Sequence, residues 1–304
     1  MIIVKMMGNL GNQLFIYAFA RSLQLKTKER VVFDLSGLKR YYYTANYQLD
    51  NYQLPEEVSC DFGAVPSDIK KRFRKLTNQF FFEQKFDKII HNSRMSSDAL
   101  VKRWEKRGCY FDYSGFSFRE YPILNTSDIF VYGYFQSSKY FDCYREILEN
   151  DLTLKQNFNE YEKRLMLQME CANSVGVSIR TKYDKRGDSF ILYDYYLRGM
   201  REVADKIKDP QFFVFSDDPE RVKQEIHFDF PVVFVNQANA CKQLYLLSCC
   251  QNFILANSTF SWWGAYLCKN QKKIIIMPSP WHQKLSSKDI YLDGATLIPC
   301  SFAK

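Results

Sequence analysis

Gln211-Phe212-Phe213-Val214-Phe215-Ser216-Asp217-Asp218-Pro219-Glu220 contains one complete strand-to-helix junction. An uninterrupted apolar run that stops at turn residues suits a strand covered on both faces, so residues 211–216 read as a buried strand. Asp218 then has the chemistry of a helix N-cap, Pro219 of a first helical residue and Glu220 of a first-turn acid, which predicts a helix over 219–226. A strand that feeds straight into a capped helix is half of a βα unit.

The same alternation continues on both sides of this junction. Upstream lie a strand at 175–180 and a helix at 194–207; downstream lie strands at 232–235, 252–256 and 273–277, separated by helices at 239–250 and 260–268. Repeated βα units imply a parallel sheet with helices on its faces. The chain also opens this way, with a strand at 2–6, a turn at 7–12, a helix at 13–26 and a strand at 31–34. Between 40 and 125 the pattern is poorer, with a basic helical stretch at 67–82 and loops near 109–122. A strand at 129–135, a helix at 137–149 and a connecting helix at 157–172 complete the reading. The expectation is an α/β protein of two Rossmann-like domains, residues 1–155 and 156–304.

Composition narrows the function classes. With 304 residues, 46% hydrophobic and 25% charged, the chain can bury a large core without staples, which excludes disordered and disulfide-scaffold classes. Lys and Arg exceed Asp and Glu by 42 to 34, a net charge of +8 that favours an anionic ligand. Nine cysteines form an odd set with no Cys-x-x-Cys, so neither a disulfide framework nor a zinc site is indicated, and a reducing cytoplasm is expected. The apolar start at residues 1–7 runs directly into Gly8-Asn9, too early for a signal-peptide core. No uncharged apolar run approaches the ~18 residues of a membrane span.

Ligands of open α/β sheets bind beyond the carboxyl ends of the strands. There the predicted strands of the second half end in Ser178-Ile179-Arg180, Ser216-Asp217, Asn236 and Asn257-Ser258-Thr259-Phe260, which together suit a nucleotide diphosphate. The Arg180 guanidinium can grip phosphate oxygens in pairs; the plainer reading is a surface ion pair. Asp217 suits a ribose or a guanine edge, or a second cap, whereas Asp218 suits a cap. Asn257-Ser258-Thr259 precede an aromatic helix whose free N–H groups would face an anion. Trp262 and Trp263 read as core, with Gly264 and Ala265 allowing close contact between helix and sheet. In the first half, Gly8-Asn9-Leu10-Gly11-Asn12-Gln13 matches neither common phosphate-loop pattern, and its plain reading is a tight turn with Asn12 capping the helix.

Four segments resemble the bacterial α-1,2-fucosyltransferases of glycosyltransferase family 11: residues 8–15, 178–180, 213–218 and 256–265, with weaker matches at 133–137 and at Pro280-Trp281. The resemblance implies GT-B-type architecture and inverting transfer of L-fucose from GDP-β-L-fucose to the 2-hydroxyl of a terminal galactose in a surface glycan. It places the donor on the C-terminal domain and the acceptor on the N-terminal one. Donor-binding candidates are Gly11, Arg180, Ser216, Asp217, Asn257, Ser258, Thr259 and Phe260, and acceptor candidates are Gln13 and His282. Arg180 assisted by Asn12 is the expected catalytic core, with Asp184 and Asp188 as candidate bases. No metal or cofactor is implied, and no Asp-x-Asp pair is present. The usual His-x-Arg-Arg-Gly-Asp pattern is altered, since Ser178 and Thr181 replace the histidine and the second arginine, and Asn9 stands where a glycine is usual. A rival reading is a non-catalytic or altered-specificity nucleotide-sugar binder of the same fold. A nucleic-acid partner is not expected. The basic run at 67–82 could rest on an anionic membrane, giving a cytoplasmic protein peripheral to it.

Overall fold

The computed structural model describes residues 1–38, 46–77, 102, 105–106, 108–112, 115–122, 128–171, 173–181, 190–237 and 239–303. The chain divides into two compact units, Met1–Leu152 and Thr153–Lys304.

The first unit is built on a parallel sheet of order β3-β2-β1-β5-β4, from β1 (Ile2–Lys5), β2 (Val31–Asp34), β3 (Val58–Ser59), β4 (Cys109–Phe111) and β5 (Ile129–Tyr132). All four residues of β1 and of β2 are buried, as expected of central strands covered on both faces. Helix α1 (Leu10–Thr27) follows β1 and is buried along most of its length. Helix α2 (Ser67–Thr77) places Phe73 in a core cluster with Ile3, Val65, Phe111 and Phe130. β4 falls inside the region read as loops, and the helix read at 137–149 is two short turns followed by α3 (Arg145–Asp151). The backbone explains the second difference: Gly133 and Phe135 have φ of 140° and 52°, and Asp112 accepts the Phe135 N–H at 2.7 Å, so the chain turns sharply before any helix forms.

The second unit carries a six-stranded parallel sheet of order β11-β10-β9-β6-β7-β8. Its strands are β6 (Ser174–Ile179), β7 (Gln211–Ser216), β8 (Val232–Phe234), β9 (Asn252–Ile254), β10 (Ile275–Ser279) and β11 (Thr296–Pro299). Its helices are α4 (Glu160–Cys171), α5 (Asp194–Ala204), α6 (Pro219–Glu225), α7 (Ala240–Cys249) and α8 (Thr259–Leu267). Val175, Val177, Phe212, Val214, Ile254 and Ile276 point into one core cluster with Tyr195, Tyr196, Met200 and Val203 of α5.

In each sheet the order of strands reverses once. After β6 the chain builds outward through β7 and β8, then returns to the other side of β6 with β9; in the first unit the reversal separates β2 from β5 about β1. Such a switch leaves a crevice at the carboxyl ends of the two central strands. In the second unit that crevice is flanked by the tips of β6 and β9.

Candidate functional site

β6 ends at Ile179, so Arg180 is the first residue beyond its carboxyl end. The strand pairs with β9 through Val175–Asn252, Gly176–Phe253 and Val177–Ile254, which brings the β9 tip and the start of α8 to the same edge. Arg180 is half-buried, and among the described residues no carboxylate pairs with its guanidinium. The surface ion pair weighed from sequence is therefore not what the described residues provide.

Facing this rim is the N-terminus of α8. Ser258 is its extended N-cap and makes no side-chain capping bond, and the first helical hydrogen bond runs from Trp262 N–H to the Ser258 carbonyl at 3.0 Å. The helix therefore leaves the N–H groups of Thr259, Phe260 and Ser261 without an intrahelical acceptor, and the helix dipole adds positive potential there. Asn257 Oδ1 is buried and makes no hydrogen bond. Ser258, Thr259 and Phe260 are all half-buried. A cation and first-turn N–H groups at one sheet edge form an anion-recognition surface.

Other candidates have structural tasks. Asp217 is exposed, and its Oδ1 accepts both the N–H and the hydroxyl of Thr181, at 2.9 and 3.0 Å, tying the tips of β7 and β6 together. Ser216 Oγ accepts the Asp218 N–H at 3.1 Å, while Asp218 caps α6 through the Arg221 N–H at 3.2 Å. Beneath them Tyr196 is fully buried, and burial pushes its phenol far above the ordinary range, so it is neutral. Ser178, in place of the histidine of the motif, is 7% exposed. His282 Nδ1 accepts N–H bonds from Lys284 and Leu285, both at 3.1 Å, which orders its own loop. Asp184 and Asp188 lie outside the described residues.

In the first unit the glycine turn sits at the switch point beside β1. Gly8 has φ of +72°, and a β-carbon there would meet Asn12 Nδ2 at 2.6 Å, so glycine is needed twice over. The helix begins at Leu10, earlier than the sequence reading. Asn9 rather than Asn12 occupies the N-cap, and Gly11 and Asn12 belong to the first turn. The reason is that Asn9 is extended and Gln13 N–H already bonds the Asn9 carbonyl at 3.0 Å. Asn12 Oδ1 accepts from Gln136 Nε2 at 2.8 Å, which joins the first turn of α1 to the loop after β5 and gives the 133–137 segment a purpose. Gln13 is fully buried; its amide donates to the Gly8 and Asn46 carbonyls and accepts the Gln48 N–H. It holds the turn from within and presents nothing to an acceptor.

The family description "Glycosyl transferase family 11" matches residues 1–298. The chain belongs to this family. Glycosyl transferase family 11 membership makes the protein a glycosyltransferase, and it agrees with two relatives of nearly equal length. One is an α-1,2-colitosyltransferase of Escherichia coli, 26% identical over 301 residues, covering 93% of this chain and 93% of the relative. The other is the O-antigen biosynthesis glycosyltransferase WbnK of Escherichia coli, 25% identical over 308 residues, covering 94% and 97%. Among solved structures, the fucosyltransferase NodZ from Bradyrhizobium superposes with a TM-score of 0.50 at 16% identity, covering 86% of this chain and 91% of that one. That likeness concerns the fold alone, which is the GT-B type with two Rossmann-like domains. The family 11 chain has no helix, among its described residues, long and apolar enough to cross a membrane. The described residues also hold no group of three or more His, Cys, Asp or Glu arranged for a metal ion.

Proposed function

We propose that the protein transfers L-fucose from GDP-β-L-fucose to the 2-hydroxyl of a terminal galactose in a surface glycan, with inversion. The observation that carries this reading is Arg180, a cation with no carboxylate partner among the described residues, at the β6–β9 switch point and on the same sheet edge as the first turn of α8.

Breaking the fucosyl bond builds negative charge on the β-phosphate. In this reading Arg180 gives that phosphate two parallel hydrogen bonds, and the first-turn N–H groups of α8 add donors. One such preorganised donor is worth about 2.7–4 kcal/mol. A metal is not needed in this scheme, because the guanidinium and the helix N-terminus do the neutralising. The acceptor proton passes to a carboxylate, for which Asp184 and Asp188 are the candidates by sequence position, a contribution of about 10²–10⁴ in rate.

A second donor is favoured by a specific finding: a relative of similar length is named for colitose, which is L-fucose without its 3-hydroxyl. The test is one incubation series with GDP-fucose, GDP-colitose, GDP-mannose and UDP-galactose against terminal galactosides, with and without chelator. The expected product is an α-1,2-fucosyl galactoside formed equally with chelator. A product only from GDP-colitose moves the reading to the deoxy sugar, and GDP-fucose binding without transfer to any acceptor refutes catalysis.

A further inference from the structure

The chain just beyond Arg180 is fixed by groups that the scheme above leaves unused. Thr181 is fully buried, and every polar group it owns is engaged. Its N–H and hydroxyl go to Asp217 Oδ1, and its carbonyl accepts from Arg221 Nη1 at 3.0 Å. Arg221 belongs to the first turn of α6, and its own orientation is set twice. Its Nε donates to Glu225 at 2.8 Å, and Glu225 accepts the Tyr193 hydroxyl at 2.6 Å. The same guanidinium lies 5.2 Å above the ring of Phe190. One side chain therefore touches both Thr181 and Phe190, the described residues that border 182–189.

The geometry points to Asp217 and Arg221 as positioning residues that, acting through Thr181, hold Arg180 in its working place. The physical reason is leverage. A guanidinium at the end of a long side chain moves through a large arc when its main chain turns slightly, and a misplacement of about 1 Å can cost 10²-fold in rate. Two charge-assisted bonds to Asp217 and one from Arg221 restrain the peptide next to Arg180 at its N–H, hydroxyl and carbonyl, which is what a preorganised site needs from its supporting residues. Arg221 contributes through that carbonyl, and the inference rests on the proposed role of Arg180.

The test measures kcat, donor KM and the Kd for GDP in Arg221→Met, Asp217→Ala and the conservative Asp217→Asn, each alone and combined with Arg180→Lys. Residual rates of the slow variants are followed over hours, and each variant is scaled to its natively folded fraction. Arg221→Met keeps an unbranched apolar side chain and removes the guanidinium donors and its charge over Phe190. It is expected to lower kcat about 10–100-fold with GDP affinity little changed, because the lesion is one of placement. In the Arg180→Lys background the same change should cost under about 3-fold, since the group being placed is already gone. Asp217→Asn, which can still accept the Thr181 bonds, should recover most of what Asp217→Ala loses.

Three results would overturn the inference: wild-type kcat in Arg221→Met, an equal loss in both backgrounds, or a loss confined to donor KM and GDP affinity. The last would make Arg221 a direct donor contact. If Arg180→Lys alone keeps wild-type turnover, the donor reading itself fails; if it is inactive while Arg221→Met is unimpaired, only the present inference fails.

Discussion

Arg180→Lys is the sharpest change available at the level of one residue, because it keeps the charge and removes the fork. With a single rigid donor set worth about 2.7–4 kcal/mol, kcat is expected to fall 10²–10³-fold while the urea midpoint stays within error. Steady-state rates beside an unfolding curve check both halves of that statement. Gly8→Ala acts on stability instead. It forces a β-carbon into a left-handed turn and against Asn12, so a loss of about 1–3 kcal/mol in urea unfolding is expected. The place of Arg180 just beyond a strand end was legible in the sequence because strand, tip and charge are adjacent in the chain. Thr181, Arg221 and Gln136 were not, because their partners lie 36, 40 and 124 residues away and only the folded sheet brings them together. The tie from Asp217 to Thr181 was hidden for the same reason: only the neighbouring strand supplies its donors.

The βα alternation of the second half was readable at the level of elements, since buried parallel strands are continuous apolar runs and their helices carry caps. β11 was missed because its residues alternate between half-buried and exposed and include a proline. α8 was placed correctly, but its Gly264 serves helix against helix. A β-carbon there would lie 2.5 Å from Leu247 of α7, and one at Gly176 of β6 would lie 2.6 Å from the same side chain. Gly264→Ala is therefore expected to cost about 1–3 kcal/mol by overpacking, and the double variant with Leu247→Ala to cost less than the sum. Denaturant titration of the four proteins in the cycle measures this.

α4 supplies a pH prediction. Burial alone would raise the Glu162 carboxyl, but bonds from Lys242, the Asn159 N–H and Gln237 hold it below its usual 4.5. Its folded pKa is depressed, so its stabilisation is present above the unfolded value and is lost as pH falls through the folded one. Glu162→Gln should be less stable than wild type at neutral pH by about 1–3 kcal/mol, with the gap closing below about pH 4.5. Stability curves that remain parallel down to acid pH would contradict it.

Each of the two units of the whole molecule repeats one rule, a parallel sheet whose loops gather at a single edge, and that rule is why motif residues far apart in sequence fall into two small groups. The net charge of +8 agrees with an anionic donor. Part of the excess lies on α2, where Lys71, Arg72 and Arg74 are exposed while Phe73 is buried in the core. Lys70 and Arg74 also lie over Phe62 and Arg72 over Phe130, so the apolar rings of this region sit under cations. If α2 contacts an anionic membrane, binding is electrostatic: co-sedimentation with phosphatidylglycerol vesicles should weaken with salt and fall on neutralising Lys70, Lys71 and Arg72. Binding indifferent to both would remove the idea.

The most direct measurement is a crystal structure of the protein with GDP. The account predicts the β-phosphate within hydrogen-bonding distance of the Arg180 guanidinium and of the first-turn N–H groups of α8. A diphosphate seated away from the β6 and β9 tips, with the guanidinium turned from it, would contradict it.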